Sequence, residues 1–187
     1  FKQKTAYEME SRDWSSDVCS SDLIQQPFSS LNAAISTFTG QNIGAEKSER
    51  AVKGLRTGLK LSAIFSVAMV IVFMLFGRYI TGFFVSGSEV IGIGTMGIQL
   101  TSLFYIFLGA IHVTRGFLNG AGDTGYALIN GAAEVVSRIG FSLLLTSVAA
   151  VGYRGIWLTT CITWALTAVI SIIRYKSGVW KKKSIVK

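Results

Sequence analysis

Uncharged runs broken by short charged connectors set the pattern of this chain. Leu61 to Gly77 is uncharged and strongly apolar, Val90 to Thr114 gives 25 uncharged residues, and Gly155 to Ile173 gives 19 between Arg154 and Arg174. Tyr126 to Val151 is interrupted only by Glu134 and Arg138, while Ile24 to Ala45 is uncharged but rich in Ser, Thr, Asn and Gln, with Pro27 near its start. Soluble elements alternate apolar and polar positions, whereas sustained apolar runs of about 18 residues mark membrane-spanning helices. The pattern predicts an all-α polytopic membrane helical bundle of about five transmembrane helices. They are placed over 24–45, 59–82, 90–114, 126–151 and 155–175, the first having the weakest hydropathy.

Composition agrees with this class. Half of the 187 residues are hydrophobic and only 15% are charged, with a mean hydropathy of +0.50. A net charge of +8 would suggest nucleic acid in a soluble chain. Here most Lys and Arg lie in connectors between apolar segments, where they set topology. The lipid bilayer is therefore the expected partner, and no nucleic acid.

Residues 1–23 stand apart from this pattern. They are polar and Ser-rich without periodicity, and they lack the apolar core and small-residue cleavage site of a targeting signal. Phe1 to Met9 and Asp13 to Leu23 resemble two blocks of a sequencing-library adapter translated in frame, so 1–23 is expected to be a disordered artefact. Without it, fifteen basic and five acidic residues leave a net +10, and Cys161 is the sole thiol. Its expected role is that of a small core residue.

Charge then orients the helices. Putting the first connector inside groups Lys47, Arg50, Lys53, Arg56 and Lys60 with Arg115 and with Arg174, Lys176, Lys181, Lys182, Lys183 and Lys187. The opposite face keeps Arg78 and Arg154, so the positive-inside rule predicts a plasma (inner) membrane protein with a cytoplasmic C-terminus. Tyr79, Phe83 and Phe84, with Tyr153 and Trp157, would mark the outer interface, and Tyr175 and Trp180 the inner one. An odd helix number and the lack of an initiator Met suggest the back part of a larger protein.

Several motifs bear on chemistry. In Glu46 to Lys60, Val52, Leu55 and Leu59 share one helical face, which fits either a helix on the inner leaflet or a charged connector running into the next span. Gly92 to Gly97 and Gly120 to Gly125 both match G-x-G-x-x-G, but neither follows a strand, so neither is a dinucleotide site. The first suits close helix packing, as do the pairs Gly54/Gly58 and Gly116/Gly120; the second suits a turn. Glu134 and Arg138 are costly inside a bilayer and lie one turn apart, with Asn130 a turn earlier. This polar stripe reads either as a substrate or coupling cavity lining, Glu134 taking up a proton, or as a structural ion pair. His112 reads as an interface polar group. The sequence holds no metal-ligand cluster and no nucleophile with a base, so neither a metal site nor an enzyme is expected.

In this order the motifs resemble the C-terminal lobe of the multidrug and toxic compound extrusion (MATE) transporters. The resemblance rests on Thr37-Phe-Thr-Gly-Gln-Asn-Ile-Gly-Ala45 before a basic helix, Arg115-Gly-Phe-Leu-Asn-Gly-Ala-Gly-Asp-Thr124, Glu134 to Arg138, Gly152 to Trp157 and Arg174 to Trp180. It implies helices 8–12 of a twelve-helix antiporter, with the N-terminal lobe and helix 7 missing. It implies export of cationic or amphiphilic small molecules against H+ or Na+, with no cofactor beyond that coupling ion. Gly40, Gln41, Gly44, Arg115, Gly120, Gly122 and Asp123 become family-motif residues with structural or gating roles. Glu134 becomes the sole intramembrane carboxylate available for coupling. The alternatives are a lipid-linked saccharide flippase of the same superfamily, against which a single cavity arginine argues, and a non-transporting membrane scaffold subunit.

Overall fold

A computed structural model describes the backbone of residues 6–147 and 154–183, and side chains over 25–181 apart from 127, 146 and 148–154. Its elements are α1 (Ala6–Gly44), α2 (Ser48–Phe84), α3 (Ser88–Ser102), α4 (Tyr105–Gly120), α5 (Thr124–Ser147), α6 (Arg154–Lys176) and α7 (Val179–Lys183). Among the described residues there is no strand, in keeping with an all-α bundle.

Helix α4 is the axis of the bundle and packs against α1, α2, α5 and α6. Glycine lets its neighbours approach. A Cβ on Gly116 would meet the backbone carbonyl of Asn32 in α1, one on Gly120 that of Ser36, and one on Gly109 the hydroxyl of Ser62 in α2. The polar and small residues of α1 thus serve backbone proximity, the means by which membrane helices associate when lipid is as apolar as their side chains. Phe28, Ile35, Thr39 and Ile43 form the buried stripe of α1 at helical spacing.

The basic segment 48–60 is the beginning of α2 and continues into the span without a break. Ala51, Leu55 and Gly58 are buried, with Val52 and Leu59 packed beside them. Of the two readings of this segment, the connector running into the span is the one seen. Gly54 faces the Phe38 ring, and Gly58 faces Ile35 and Val113, as the small-residue spacing anticipates.

The span expected over 90–114 is two helices, α3 and α4, meeting at 51°. Around the break, Thr101 Oγ1 donates to the Gly97 carbonyl at 2.9 Å and Ser102 Oγ to the Gln99 carbonyl at 2.8 Å. Such back-bonding competes with the helical ladder and bends it. In the Gly92 to Gly97 string, Gly97 lies against the Trp157 indole and Gly94 against Thr81, while Gly92 meets nothing.

Among the described residues three helices are long and apolar enough to cross a membrane, and the bent α3–α4 pair makes four, against the expected five. The shortfall is α1, whose Ser, Thr, Asn and Gln lower its hydropathy. α1 also begins at Ala6, so the backbone of 6–23 is helical where the sequence suggested disorder. α5 runs to Ser147, leaving 148–151 of the expected fourth span, and Gly152 and Tyr153 of the family motif, outside the described residues.

Candidate functional site

The turn between α4 and α5 builds one end of the site. Gly122 takes φ +87°, a conformation that favours glycine, and the next residue, Asp123, donates its backbone N–H to the Leu118 carbonyl at 2.9 Å. This aims the fully buried Asp123 carboxylate at α6, where Arg174 grips it with Nε at 2.8 Å and Nη2 at 3.1 Å. A bidentate, charge-assisted pair fixes geometry as well as energy. It clamps the end of α6 to the turn.

Within the first turn of α5, the Tyr126 hydroxyl lies 2.7 Å from Ser171 Oγ and 3.0 Å from Asn130 Oδ1, and Ser171 Oγ donates to the Thr167 carbonyl at 2.8 Å. All four residues are buried between α5 and α6. Asn130 Nδ2 has no hydrogen-bond partner among the described residues.

Glu134 is the hub of the charged part. Arg138 Nη2 donates to its Oε1 at 3.1 Å, and Arg115 of α4 places its own Nη2 3.6 Å from Oε2. One carboxylate therefore faces two guanidinium groups from two helices. The Glu134 side chain is 29% exposed, Arg115 25% and Arg138 51%, so the cluster opens to the surface of the bundle beside α5. Arg115 Nε and Nη2 are buried without hydrogen-bond partners among the described residues.

The expected stripe is thus divided. Glu134 and Arg138 pair as their spacing implies, whereas Asn130 lies buried against Tyr126. Arg115, which the charge pattern grouped with the cytoplasmic residues, also joins the ion cluster. The i,i+4 rule sees only partners on one helix; the α4–α5 turn, which folds Arg115 back onto Glu134, was the available signal for the rest. A Cβ on Gly40 would lie 3.5 Å from the Gly120 carbonyl, and Gly44 ends α1. The Gln41 carbonyl accepts from the Ala45 N–H at 3.1 Å. Gln41 and Gly44 thus lead into the α1–α2 turn, in which Glu46 takes φ 58°, while Gly40 faces α4. His112 faces Phe28 and places Nδ1 3.0 Å from the Leu108 carbonyl, and Cys161 is a buried free thiol.

A family model, MatE, matches residues 21–144, more than half of the chain. Similar curated proteins include "Probable multidrug resistance protein NorM" of Thermotoga maritima, 24% identical over 85% of this chain and 34% of that protein. Two proteins of Bacillus subtilis are also similar: "Probable multidrug resistance protein YoeA", 23% identical over 87% of this chain and 35% of its own length, and "Probable multidrug resistance protein YpnP", 28% identical over 85% and 36%. The chain spans about a third of the length of these relatives. No solved structure matches it significantly.

Proposed function

Because the chain belongs to the MatE family, we propose that it forms part of the membrane bundle of a multidrug exporter that moves amphiphilic or cationic small molecules against H+ or Na+. In this reading it sits in the plasma membrane with the basic ends of α2 and α6 on the cytoplasmic side. The names of its relatives support the exporter reading, and the positive-inside pattern supports the orientation.

The observation that carries the proposal is Glu134 held between Arg115 and Arg138. Ionisable residues at membrane depth face bundle interiors or aqueous cavities and mark transport pathways. Here three such groups from two helices form one cluster. Glu134 is the coupling candidate, and protonating it would release both arginines. A flippase for lipid-linked saccharides is less favoured, since two arginines against one carboxylate leave one net positive charge for a pyrophosphate.

The test is drug resistance in a hypersensitive bacterial host expressing the intact protein. Glu134→Gln is expected to lower the inhibitory concentration of exported compounds at least fourfold while membrane expression stays at the wild-type level. Unchanged resistance removes Glu134 from transport.

A further inference from the structure

One face of α2 changes character along its length. Lys53, Arg56, Lys60, Ile64, Val67 and Ile71 follow one another at intervals of three or four residues, the spacing of a single helical stripe. All six are exposed. Ala51, Leu55, Gly58, Ser62 and Ser66, on the opposite side, are buried. The stripe is thus cationic at one end and apolar along the rest, the complement of an anionic amphiphile.

A cleft of about 310 Å³ lies at the cationic end, between the first three turns of α2 and the short α7. Glu49, Lys53 and Arg56 line it from α2, and Trp180 and Lys181 from α7. Trp180 is a fixed wall: its buried ring lies edge-on to Phe117 at 5.0 Å, and its Nε1 donates to the Tyr175 carbonyl at 3.3 Å. Lys181 Nζ lies 5.7 Å from the centre of that ring. Three cations against one carboxylate leave a net +2 around the cleft. Among the described residues none of these three cations is engaged in an ion pair, so their charge is open to a ligand from outside.

Depth selects the kind of anion. Arg56 precedes the uncharged run that begins at Leu61 by five residues, about 7.5 Å of helix. The headgroup layer is about 5 to 8 Å thick on each side of the hydrocarbon. The cleft therefore lies at the level of lipid phosphodiesters, where tryptophan is also enriched. A soluble phosphate would use the charges and leave the apolar stripe below them unused.

We propose that this cleft binds the headgroup of an anionic phospholipid, its phosphodiester held by Lys53, Arg56 and Lys181 beside Trp180 and its tails running along α2 over Ile64, Val67 and Ile71. In the orientation proposed above, the lipid belongs to the cytoplasmic leaflet. Its binding does not depend on what the protein exports, so it stands or falls apart from the role of Glu134.

Native mass spectrometry of the intact protein in a neutral maltoside detergent tests the proposal. Dioleoyl phosphatidylglycerol and dioleoyl phosphatidylcholine are titrated as probes of equal tail and different headgroup charge, with glycerol phosphate as the soluble counterpart. One basic residue near an anionic lipid surface is worth about a fivefold factor. Phosphatidylglycerol is accordingly expected to bind at least about fivefold more tightly than phosphatidylcholine. The double variant Lys53→Gln, Arg56→Gln should weaken phosphatidylglycerol at least about tenfold and leave phosphatidylcholine within about twofold, and Lys181→Gln should weaken phosphatidylglycerol about fivefold. All three side chains are exposed, so their replacement leaves the fold intact. Lys176→Gln removes a charge near the same end of α6 but outside the cleft, and should change binding less than about twofold.

Equal affinity for the two lipids overturns the proposal. So does an equal loss in Lys176→Gln, which would mark a diffuse positive field in place of a built cleft. Glycerol phosphate binding as tightly as phosphatidylglycerol would assign the cleft to a soluble phosphate and also overturn it, whereas weaker binding sustains the lipid. Drug resistance without lipid preference leaves the exporter reading standing and removes this one. Lipid preference with full resistance in Glu134→Gln does the reverse.

Discussion

Helices α4 and α5 adjoin across one turn and are built to opposite rules. α4 is covered on several sides, burying Tyr105, Leu108, Ile111, Val113, Phe117 and Leu118. α5 packs chiefly on α6, and leaves Leu128, Ile129, Val135, Val136, Leu143 and Leu144 exposed. In α4 the glycines set how near the neighbours come, and a substitution there is felt through packing. In α5 these apolar residues face outward, while Tyr126 and Asn130 face the bundle and are buried.

Matched truncations give the strongest test of that contrast. Leu118→Ala, at a fully buried position of α4, is expected to cost about 3 kcal/mol by the cavity it leaves. Leu144→Ala, 64% exposed on α5, should cost less than about 0.5 kcal/mol. Reversible unfolding in mixed micelles measures both. Equal costs in the intact protein would mean that the outer face of α5 is packed against protein.

Gly120→Val probes the same asymmetry from the side of overpacking. Its side chain would meet the Ser36 carbonyl and the Gly40 backbone, neither of which can rotate away, so a loss of about 2 kcal/mol is expected. The midpoint of thermal aggregation, followed by fluorescence-detected size exclusion, reports it. Gly131, at which an added Cβ meets nothing within 4 Å, supplies the control, and Gly131→Ala should leave that midpoint unchanged or raised.

The smallest effect tests where α5 is anchored. Tyr126→Phe removes the hydroxyl that bridges Ser171 and Asn130, and about 1 kcal/mol is expected. Hydrogen exchange should quicken in the first turns of α5 and in the part of α6 near Ser171, and stay unchanged in α1. A uniform increase across the bundle would show that the bridge serves the whole fold.

Much of this was legible along the chain. Long apolar runs, uncharged in α2 and α6 and broken only by Glu134 and Arg138 in α5, disclosed these helices, because apolar length is a local property. The pair Glu134 and Arg138 followed from one helical turn, and the close packing at Gly116 and Gly120 from their spacing. What escaped depends on contacts between segments distant in sequence. Arg115 meets Glu134 only when α4 folds back on α5, and Asn130 lies buried with the Tyr126 hydroxyl donating to its Oδ1. The break near Leu103 escaped for another reason: Thr101 and Ser102 also occur in unbroken helices, so hydroxyls alone do not announce a bend.

Helix α2 has a mechanical consequence. Its 37 residues make a rod of about 55 Å at 1.5 Å per residue, against a hydrocarbon layer of about 30 Å. Even at a tilt of about 40°, the upper end of what spanning helices show, about 12 Å of it stands beyond that layer. The protruding end carries Lys53 and Arg56, joined to the span by unbroken helix. That end is not free: Ala51 and Leu55 are buried with Ile35 and Ile43 of α1 and Val113 and Phe117 of α4, so a change in the tilt of α2 would have to carry α1 and α4 with it.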